Sequence, residues 1–484
     1  MSLTSALSSA MSGIRAVSRG SEIVSGNIAN ANTPGYARRT LSISSDSTGP
    51  AIGVRVNGVV RHVDQQIIND RRLAAAETGY RNDTTTALTR IEDLIGTPDQ
   101  IGSLAARVAD FEQSLITASS RPDATERLTA VAFGAKDLAQ SINAVAQGIQ
   151  DTRSQADRSI DAQVTRLNDA LKGVETLNAQ IVSTNSSRVN ASALEDQRQL
   201  LIDEISEMVP VRLVARDHGA VALYSTGGTV LLEGRAAELG FEPANTVTPY
   251  ESIEDGTLSG LTINGVSINT SSTNGRLRGG TLIAQFQIRD EIAPNAQSQV
   301  DALARDLVER FEDSSVDPTL GVGDPGLFTD SGDPLDTASE TGLANRLSLN
   351  ALVDIDQGGE SWRIRDGLGA AAPGDAGDAS LLIALTDVLS TTRPQASGDF
   401  GPSSLSVEGI VASLSSQIGS DRLREDRQLS FASAQLNELT QLALADGVDT
   451  DAEIQALMVL EQAYAANARV LSTVDEMFDT LLRI

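Results

Sequence analysis

The sequence has no cysteine, few aromatic residues and only two lysines. Its 484 residues include no Cys, 3% aromatics and only two His. Without cysteine, disulfides, thiol catalysis and cysteine metal sites are excluded. With so few aromatics, we expect cores of packed helices and thin sheets rather than one deep aromatic pocket.

Long hydrophobic runs are also missing, and acidic residues dominate. The formal net charge of -28 argues against a nucleic-acid partner and against binding to anionic membranes. No stretch approaches the length of a transmembrane helix. The opening MSLTSALSSAMSGIRAV lacks the basic start and continuous apolar core of a signal peptide, so we expect any export to use another route.

Motifs for catalysis and cofactor binding are absent as well. His62 and His218 are far apart in sequence, and no P-loop, Rossmann fingerprint, nucleophile elbow or zinc-protease motif occurs. The acidic stretch 446–453 resembles part of a calcium loop but lacks the required glycine and glutamate spacing. Acids at a helix N-terminus explain it better. We therefore predict no catalytic residues, no metal and no cofactor.

The last thirty-four residues are the most regular part of the chain. They contain no Gly or Pro, Asp451 occupies the expected N-cap position, and apolar residues recur every three or four positions as in a coiled-coil seam. The seam runs on to the final two residues, which predicts that this helix docks on something. The predicted C-terminal assembly residues are Leu457, Leu460, Tyr464, Asn467, Leu471, Val474, Phe478 and Leu481.

The first thirty residues carry a matching seam with the opposite local charge. Small residues at positions 6, 10, 13, 16 and 20 would allow a second helix to approach closely. Residues 1–45 hold four Arg and one Glu, whereas 440–484 hold eight acids and two Arg, which favours pairing of the ends within or between subunits. Two solvated helical faces remain the alternative. The predicted N-terminal assembly residues are Leu7, Ile14, Val17, Val24, Asn27, Ile28, Asn30, Asn32, Thr33, Pro34, Gly35 and Tyr36.

Between the ends, the hydrophobic period changes from helical to two-residue and back. A hairpin is predicted at 37–61, with Ile52 among its alternating apolar residues, and a turn at 183–192. Strands are predicted from 210 to 280 and in the segments LSLNALVDI and SWRIRD. Helices are predicted at 63–95, 100–119, 122–184 with a possible break near 151–155, 194–209, 281–313 with an interruption at Ala293-Pro294, 378–389 and 405–445.

These patterns predict a nested, multidomain α+β fold that is mainly α. Paired terminal coiled-coil helices surround a long helical bundle, into which a small antiparallel β domain is inserted. The predicted parts are a terminal inner-tube domain of 1–62 plus 446–484, a bundle of 63–209 plus 281–313 plus 378–445, and an outer β-rich domain of 210–280 plus 314–377.

At both ends the chain resembles flagellar axial proteins. NIANANTPGYARR is similar to the N-terminal signature of rod, hook and hook-associated proteins, and QAYAANARVLSTVDEMFDTLL to their C-terminal signature. The Pro34-Gly35-Tyr36 form with Arg38 and Arg39, and the interior LEDQRQLLIDEISEMVPVRLV, resemble the flagellar hook-associated protein 1 (FlgK) family. One departure is Gly447-Val448-Asp449-Thr450-Asp451, where the family has Gly-Val-Asn-Leu-Asp.

The resemblance implies a structural subunit that joins hook to filament. It implies self-assembly into a ring of about eleven copies, contact with the hook protein and with a second junction protein, and type III export with a chaperone on the C-terminal region. It also implies an extracellular place in the flagellum and no enzyme activity. We expect Leu471, Val474, Phe478 and Leu481 to serve both docking and the chaperone. The alternatives are a hook or rod subunit, a peptidoglycan hydrolase and a coiled-coil adhesin.

Overall fold

The computed structural model describes residues 3–46, 53–187, 190–271 and 274–482. Ile52 of the predicted hairpin, part of the predicted 183–192 turn and the last two residues of the C-terminal seam lie outside these ranges. The described chain is mainly helical with small antiparallel sheets, which confirms the predicted fold class.

The helices follow the predicted order closely. They are α1 (Leu3–Ala29), α2 (Gln65–Ile95), α3 (Leu104–Ser119), α4 (Thr125–Ser186), α5 (Ser192–Met208), α6 (Gly280–Gln287), α7 (Ala293–Phe311), α8 (Leu343–Arg346), α9 (Arg363–Asp366), α10 (Ser380–Ser390), α11 (Val407–Ala445) and α12 (Thr450–Leu482).

The strands are short, and every pairing among the described residues is antiparallel. They are β1 (Arg39–Asp46), β2 (Gly53–Arg61), β3 (Val211–Ala215), β4 (Val221–Ser225), β5 (Val230–Glu233), β6 (Arg235–Ala236), β7 (Leu239–Gly240), β8 (Thr262–Ile263), β9 (Val266–Ser267), β10 (Phe328–Asp330), β11 (Leu347–Leu349), β12 (Arg393–Pro394) and β13 (Ser404–Leu405).

Helix α4 is the central element of the fold. Its 62 residues run without the break that the sequence suggested near 151–155. That polar stretch stays helical because its side chains have buried partners: Arg153 donates to the carbonyls of Arg289, Thr248 and Glu251, and Ser154 accepts from the Val247 N–H. At 1.5 Å per residue the helix is about 93 Å long.

Two hydrophobic cores lie along α4. The first half of α4 packs with α3, α7, α10 and α11, and its centre is three mutually tilted rings, Phe111, Phe311 and Phe328, 5.2 to 6.0 Å apart. The second half packs with α5, α6 and the sheets of β3–β9. Buried residues between 320 and 368 belong to the first core. The three-part division of the chain stays a prediction.

Two segments of the first core correct the predicted strands. SWRIRD was expected to be extended, but its last four residues form α9, in which Ile364 and Arg365 are both buried. Of LSLNALVDI only Leu347–Leu349 is a strand, paired with Phe328–Asp330. The following Asn350 turns the chain by bonding the carbonyls of Pro325 and Gly326.

The predicted interruption at Ala293-Pro294 takes the form of a wider helical turn. A π-helical segment, Ile288–Ile292, lies between α6 and α7 and accommodates a proline that cannot donate a backbone hydrogen bond. Within this turn Arg289 is completely buried, bonds Asp157 at 2.8 Å, and lies over the rings of Phe241 and Phe286.

Helix α11 returns along α2 and so brings the end of the chain back to its start. The two helices run antiparallel, since Arg81 contacts Glu425 and Glu92 contacts Arg422 further back along α11. This pairing places the start of α12 beside the end of α1.

Asp301 on α7 gives a prediction for pH dependence. Burial raises its pKa to about 6 from 3.8, although it accepts hydrogen bonds from the Gly342 and Ala344 N–H groups. The stabilising contribution of its proton is therefore present below pH 4 and is lost as the pH rises through 6. Relative to Asp301→Asn, the parent chain should lose about 2 kcal/mol of unfolding free energy between pH 4 and pH 7.

Urea unfolding at both pH values measures this difference. Asp387→Asn, on the exposed side of α10, is the matched control and should show no such change. An equal pH response of the Asp301→Asn variant and the parent would contradict the prediction.

Candidate functional site

The two ends of the chain form one antiparallel helix pair. Gly13 packs against Asn467, Gly20 against Leu460, and Asn27 against Glu453. Successive layers are seven residues apart on each helix, which is the repeat of a coiled coil. A Cβ on Gly13 would lie 2.9 Å from Asn467 Oδ1, and one on Gly20 would lie 3.2 Å from Leu460, so these glycines set how closely the helices approach.

The contact edge of α1 is centred on its small residues rather than on the predicted apolar seam. Buried residues of α1 are Ala10, Ala16, Gly20, Val24 and Asn27. Of the predicted assembly residues on this helix, Val24 and Asn27 are thus buried, whereas Leu7, Ile14, Val17 and Ile28 stay partly exposed. Because α12 approaches α1 closely over its glycine and alanine residues, the bulkier side chains of α1 lie at the edges of the contact.

On α12 the predicted seam is only partly covered. Val474 is 5% exposed, while Tyr464 is 48% and Leu481 is 59% exposed. The remaining predicted residues, Leu457, Leu460, Asn467, Leu471 and Phe478, are half-buried. Asn467 donates to the Ala463 carbonyl of its own helix at 2.9 Å.

A second apolar line runs along α12 beside the face that meets α1. We call it the outer stripe: Val459, Val470, Met477 and Leu481, which are 45% to 64% exposed. At its start, Val459 opens into an apolar groove between α1, the β1–β2 hairpin and α12, with a volume of about 510 Å³. Ile43 and Val54 of the hairpin line the other side of this groove.

After α1 the chain makes a tight loop through the remaining predicted residues. Asn30 donates to the Gly26 carbonyl and accepts from Thr33, while Asn32, Thr33 and Pro34 face outward. Gly35 has φ +77, a conformation that favours glycine, and a Cβ there would lie 2.7 Å from Leu200 on α5. The loop therefore rests directly on α5.

A buried polar network fastens this loop to α12. Asn27 is fully buried, and its amide donates to Glu453 Oε2 at 3.0 Å and to the Arg39 carbonyl at 2.8 Å. Its oxygen accepts from Tyr36 Oη at 2.8 Å and from the Arg39 N–H at 3.0 Å. Arg38 Nε bonds Glu453 Oε1 at 2.7 Å, which neutralises a carboxylate that is only 1% exposed.

Tyr36 is held in this network as a hydrogen-bond donor. Burial raises the pKa of its phenol, and the Arg39 guanidinium, 4.7 Å above the ring, only partly opposes the shift. The phenol therefore stays protonated, and its O–H donates a hydrogen bond to Asn27 Oδ1.

A second ionic contact connects the base of the hairpin to the bundle. Asp196 on α5 accepts from Arg39 at the start of β1 and from Arg61 at the end of β2, at 2.5 and 2.7 Å. Because both arginines are largely buried there, the hairpin, the loop and α5 are held as one unit.

The sequence did not identify Glu453, Asp196 or Arg61 as members of the site. The opposite local charges of the two ends were the available signal, and Arg38–Glu453 is the ion pair in which they meet. The predicted N-cap, Asp451, was wrong by two residues: Asp449 accepts from the N–H groups of Asp451 and Ala452. Asp446 instead accepts from the Asp64 N–H at the start of α2.

The two histidines lie apart from each other. His62 bonds Thr40 across the hairpin at 2.7 Å, and His218 has φ 56 in a turn. Within the described ranges no group of three or more His, Asp or Glu could hold a metal ion. No helix in the same residues has the length and hydropathy needed to cross a bilayer.

Comparison with known proteins gives matches along nearly the whole chain. Residues 88–317 match the family model "Flagellar hook-associated protein FlgK helical domain". Residues 7–36 match "Flagella basal body rod protein", and residues 445–484 match "Flagellar basal body rod FlgEFG protein C-terminal". These two terminal matches cover the helix pair described above.

Curated relatives are similar over their full length. Flagellar hook-associated protein 1 of Escherichia coli is 27% identical over 555 residues, covering 100% of both chains. The protein of the same name from Bacillus subtilis is 25% identical, covering 94% of this chain and 93% of the relative. A solved structure, the flagellar hook junction protein FlgK from Burkholderia pseudomallei, aligns with TM-score 0.44 and 20% identity over 55% of this chain and 47% of that one.

Gly35 gives a prediction for the loop. Gly35→Ala should lower the unfolding free energy by about 2–4 kcal/mol, from positive φ and from overlap with Leu200. Gly102→Ala is the matched control, since Gly102 has φ +86 with nothing within 4 Å, and should lose only about 1 kcal/mol.

Urea unfolding measures both losses. Adding Leu200→Ala to Gly35→Ala should restore the part that comes from overlap, because the truncated side chain makes room for the new methyl group. Equal losses for Gly35→Ala and Gly102→Ala would show that contact with α5 has no energetic role.

Proposed function

We propose that this chain, which belongs to the FlgK family of flagellar hook-associated proteins, is a structural subunit that joins the flagellar hook to the filament. The observation that carries the proposal is the helix pair of the chain ends, whose outer stripe stays exposed. A helix pair that buries one seam and exposes a second is suited to packing among copies of itself.

Self-assembly accounts for the outer stripe and the groove beside it. Val470, Met477 and Leu481 cost free energy while they face water and would regain it against a neighbouring copy. A neighbouring copy could pack against the apolar residues that line the groove between α1, α12 and the hairpin. Repetition of this contact around an axis would close a ring, with about eleven copies expected from the family resemblance.

The remaining partners follow from the position of such a ring. One face would meet the hook protein and the other a second junction protein, on which the filament continues. The sheets of β3–β9 pack with α5, which also contacts the loop and the hairpin at the paired ends, so we place them beside the terminal pair. No catalytic step is part of this function.

Helix α12 buries few of its residues within the chain, which is compatible with export in an unfolded state. Among its described residues α12 fully buries only Glu453 and Val474, whereas the bundle helices have continuous cores. An element with so little burial opens at low cost. We propose that the terminal helices are largely unfolded during type III export, that a chaperone holds α12 by its apolar residues in the cytoplasm, and that the helices order on assembly.

Deletion of the gene tests the junction. Cells should build hooks without filaments and lose flagellin to the medium, because nothing would connect the two structures. Electron microscopy of isolated hook-basal bodies and a flagellin blot of the medium are the measurements. Missing hooks would instead indicate a hook or rod subunit, and normal motility would contradict a flagellar role altogether.

The double variant Phe478→Asp with Leu481→Asp tests the C-terminal surface. Two charges on apolar positions should abolish filament attachment and weaken chaperone binding by at least about 100-fold, since each would bury an unpaired carboxylate. Gln462→Asp with Ser472→Asp adds the same charge at exposed polar positions of α12 and is the matched control. Motility and chaperone binding unchanged from this control would contradict the assigned role.

A further inference from the structure

The repeat of seven leaves the register of the helix pair open. Gly13 and Gly20 face Asn467 and Leu460, and another step of seven brings Ala6 opposite the buried Val474. In these layers a small residue of α1 faces a larger residue of α12. Because the two glycines are equivalent, sliding α12 by one heptad would keep small against large in most layers.

The layer of Asn27 and Glu453 is different, because its two partners are specific for each other. If α12 slid one heptad in one direction, Glu453 would face Gly20 and lose both Asn27 and Arg38. If it slid the other way, Asn27 would face Leu460 and lose its hydrogen bond to Glu453, and Arg38 would lose its ion pair with Glu453. A buried carboxylate without partners, or a buried N–H that has lost its acceptor, is destabilising.

We propose that Asn27 and Glu453, with Arg38 and Tyr36, form a register lock that selects one alignment of the terminal helices. The lock lies where α1 joins the loop on α5, so it also fixes how far α12 extends past the start of α1. That offset decides where the outer stripe is presented. This role concerns the chain itself and does not depend on the proposed function.

The absence of cysteine makes a direct test possible. Cβ atoms at Gly13 and Gly20 would lie 3.1 Å from Asn467 Cγ and 3.9 Å from Leu460 Cγ, close enough for cysteines there to bridge. The native register is reported by the pairs Gly13→Cys with Asn467→Cys and Gly20→Cys with Leu460→Cys. The shifted registers are reported by Gly13→Cys with Leu460→Cys and Gly20→Cys with Asn467→Cys, which lie about 10 Å apart along the axis in the native pairing.

The measurement is the initial rate of disulfide formation in the purified full-length chain under mild oxidation. Because cross-linking traps each register when it forms, the initial rate can be measured even if the helix pair is formed for only part of the time. Native-register pairs should cross-link more than about tenfold faster than shifted pairs, because either shift removes both the Asn27–Glu453 hydrogen bond and the Arg38–Glu453 ion pair. In the background Asn27→Leu with Glu453→Leu, both polar partners become apolar and that preference should fall to about twofold or less.

Two further backgrounds separate the lock from general effects. Ser25→Leu with Glu461→Leu introduces two leucines at exposed polar positions of the same helices and should keep the full preference. Glu453→Gln keeps one oxygen that can accept from Asn27 but sets its amide nitrogen against Arg38, so it should keep only part of the preference. Absence of a preference in the parent chain, absence of cross-linking in every pair, or an undiminished preference in the Asn27→Leu, Glu453→Leu background would overturn the proposal.

Discussion

The meeting of the two chain ends is the constraint on which the rest of the structure depends. Helix α1 is followed by a hairpin and by α2, which leads away from the ends, and α11 must return along α2 so that α12 can reach α1. The chain enters the bundle just before α2 and leaves it just after α11. These two points lie side by side, since the Asp64 N–H donates to the Asp446 carboxylate at 3.1 Å. The segment between α2 and α11, which supplies most of both cores, can therefore be inserted without moving the ends apart.

Burial is distributed unevenly over this layout. Along α4, residues at regular helical spacing are almost completely buried in two cores, and even the charged Arg289 and Asp157 are fully enclosed. The terminal pair buries mostly small side chains and relies on one polar layer and on the ionic contacts of Arg38, Arg39 and Arg61. Stability is therefore expected to fall from the bundle toward the free tips of α1 and α12. A subunit that gains its last contacts from neighbours needs this kind of gradient.

Much of this could be predicted from sequence because helices and strands have different hydrophobic periods. The long helices, the antiparallel strands after Pro210 and the interruption before Pro294 follow from spacing and from residues that break helices. Spacing did not give the rotation of α1, because close approach over Gly13 and Gly20 outweighs the burial of Ile14 and Val17. Spacing also predicted a strand for SWRIRD, because its residues alternate in polarity. The helical turn found there depends on burial of Ile364 in the first core, which the neighbouring residues in sequence do not reveal.

The polar residues show a further limit of sequence reasoning. Asn467 occupies a seam position and so resembles a residue that sets register, yet its amide bonds the Ala463 carbonyl of its own helix and only its bulk meets α1. Glu453 resembles an ordinary acid in a first helical turn, yet it is almost completely buried and bonds two residues more than 400 positions away. Which polar residue carries specificity depends on what the fold brings opposite to it. With that specificity at the end joined to the bundle, the opposite tips of both helices would be free to adapt to neighbouring subunits in the proposed assembly.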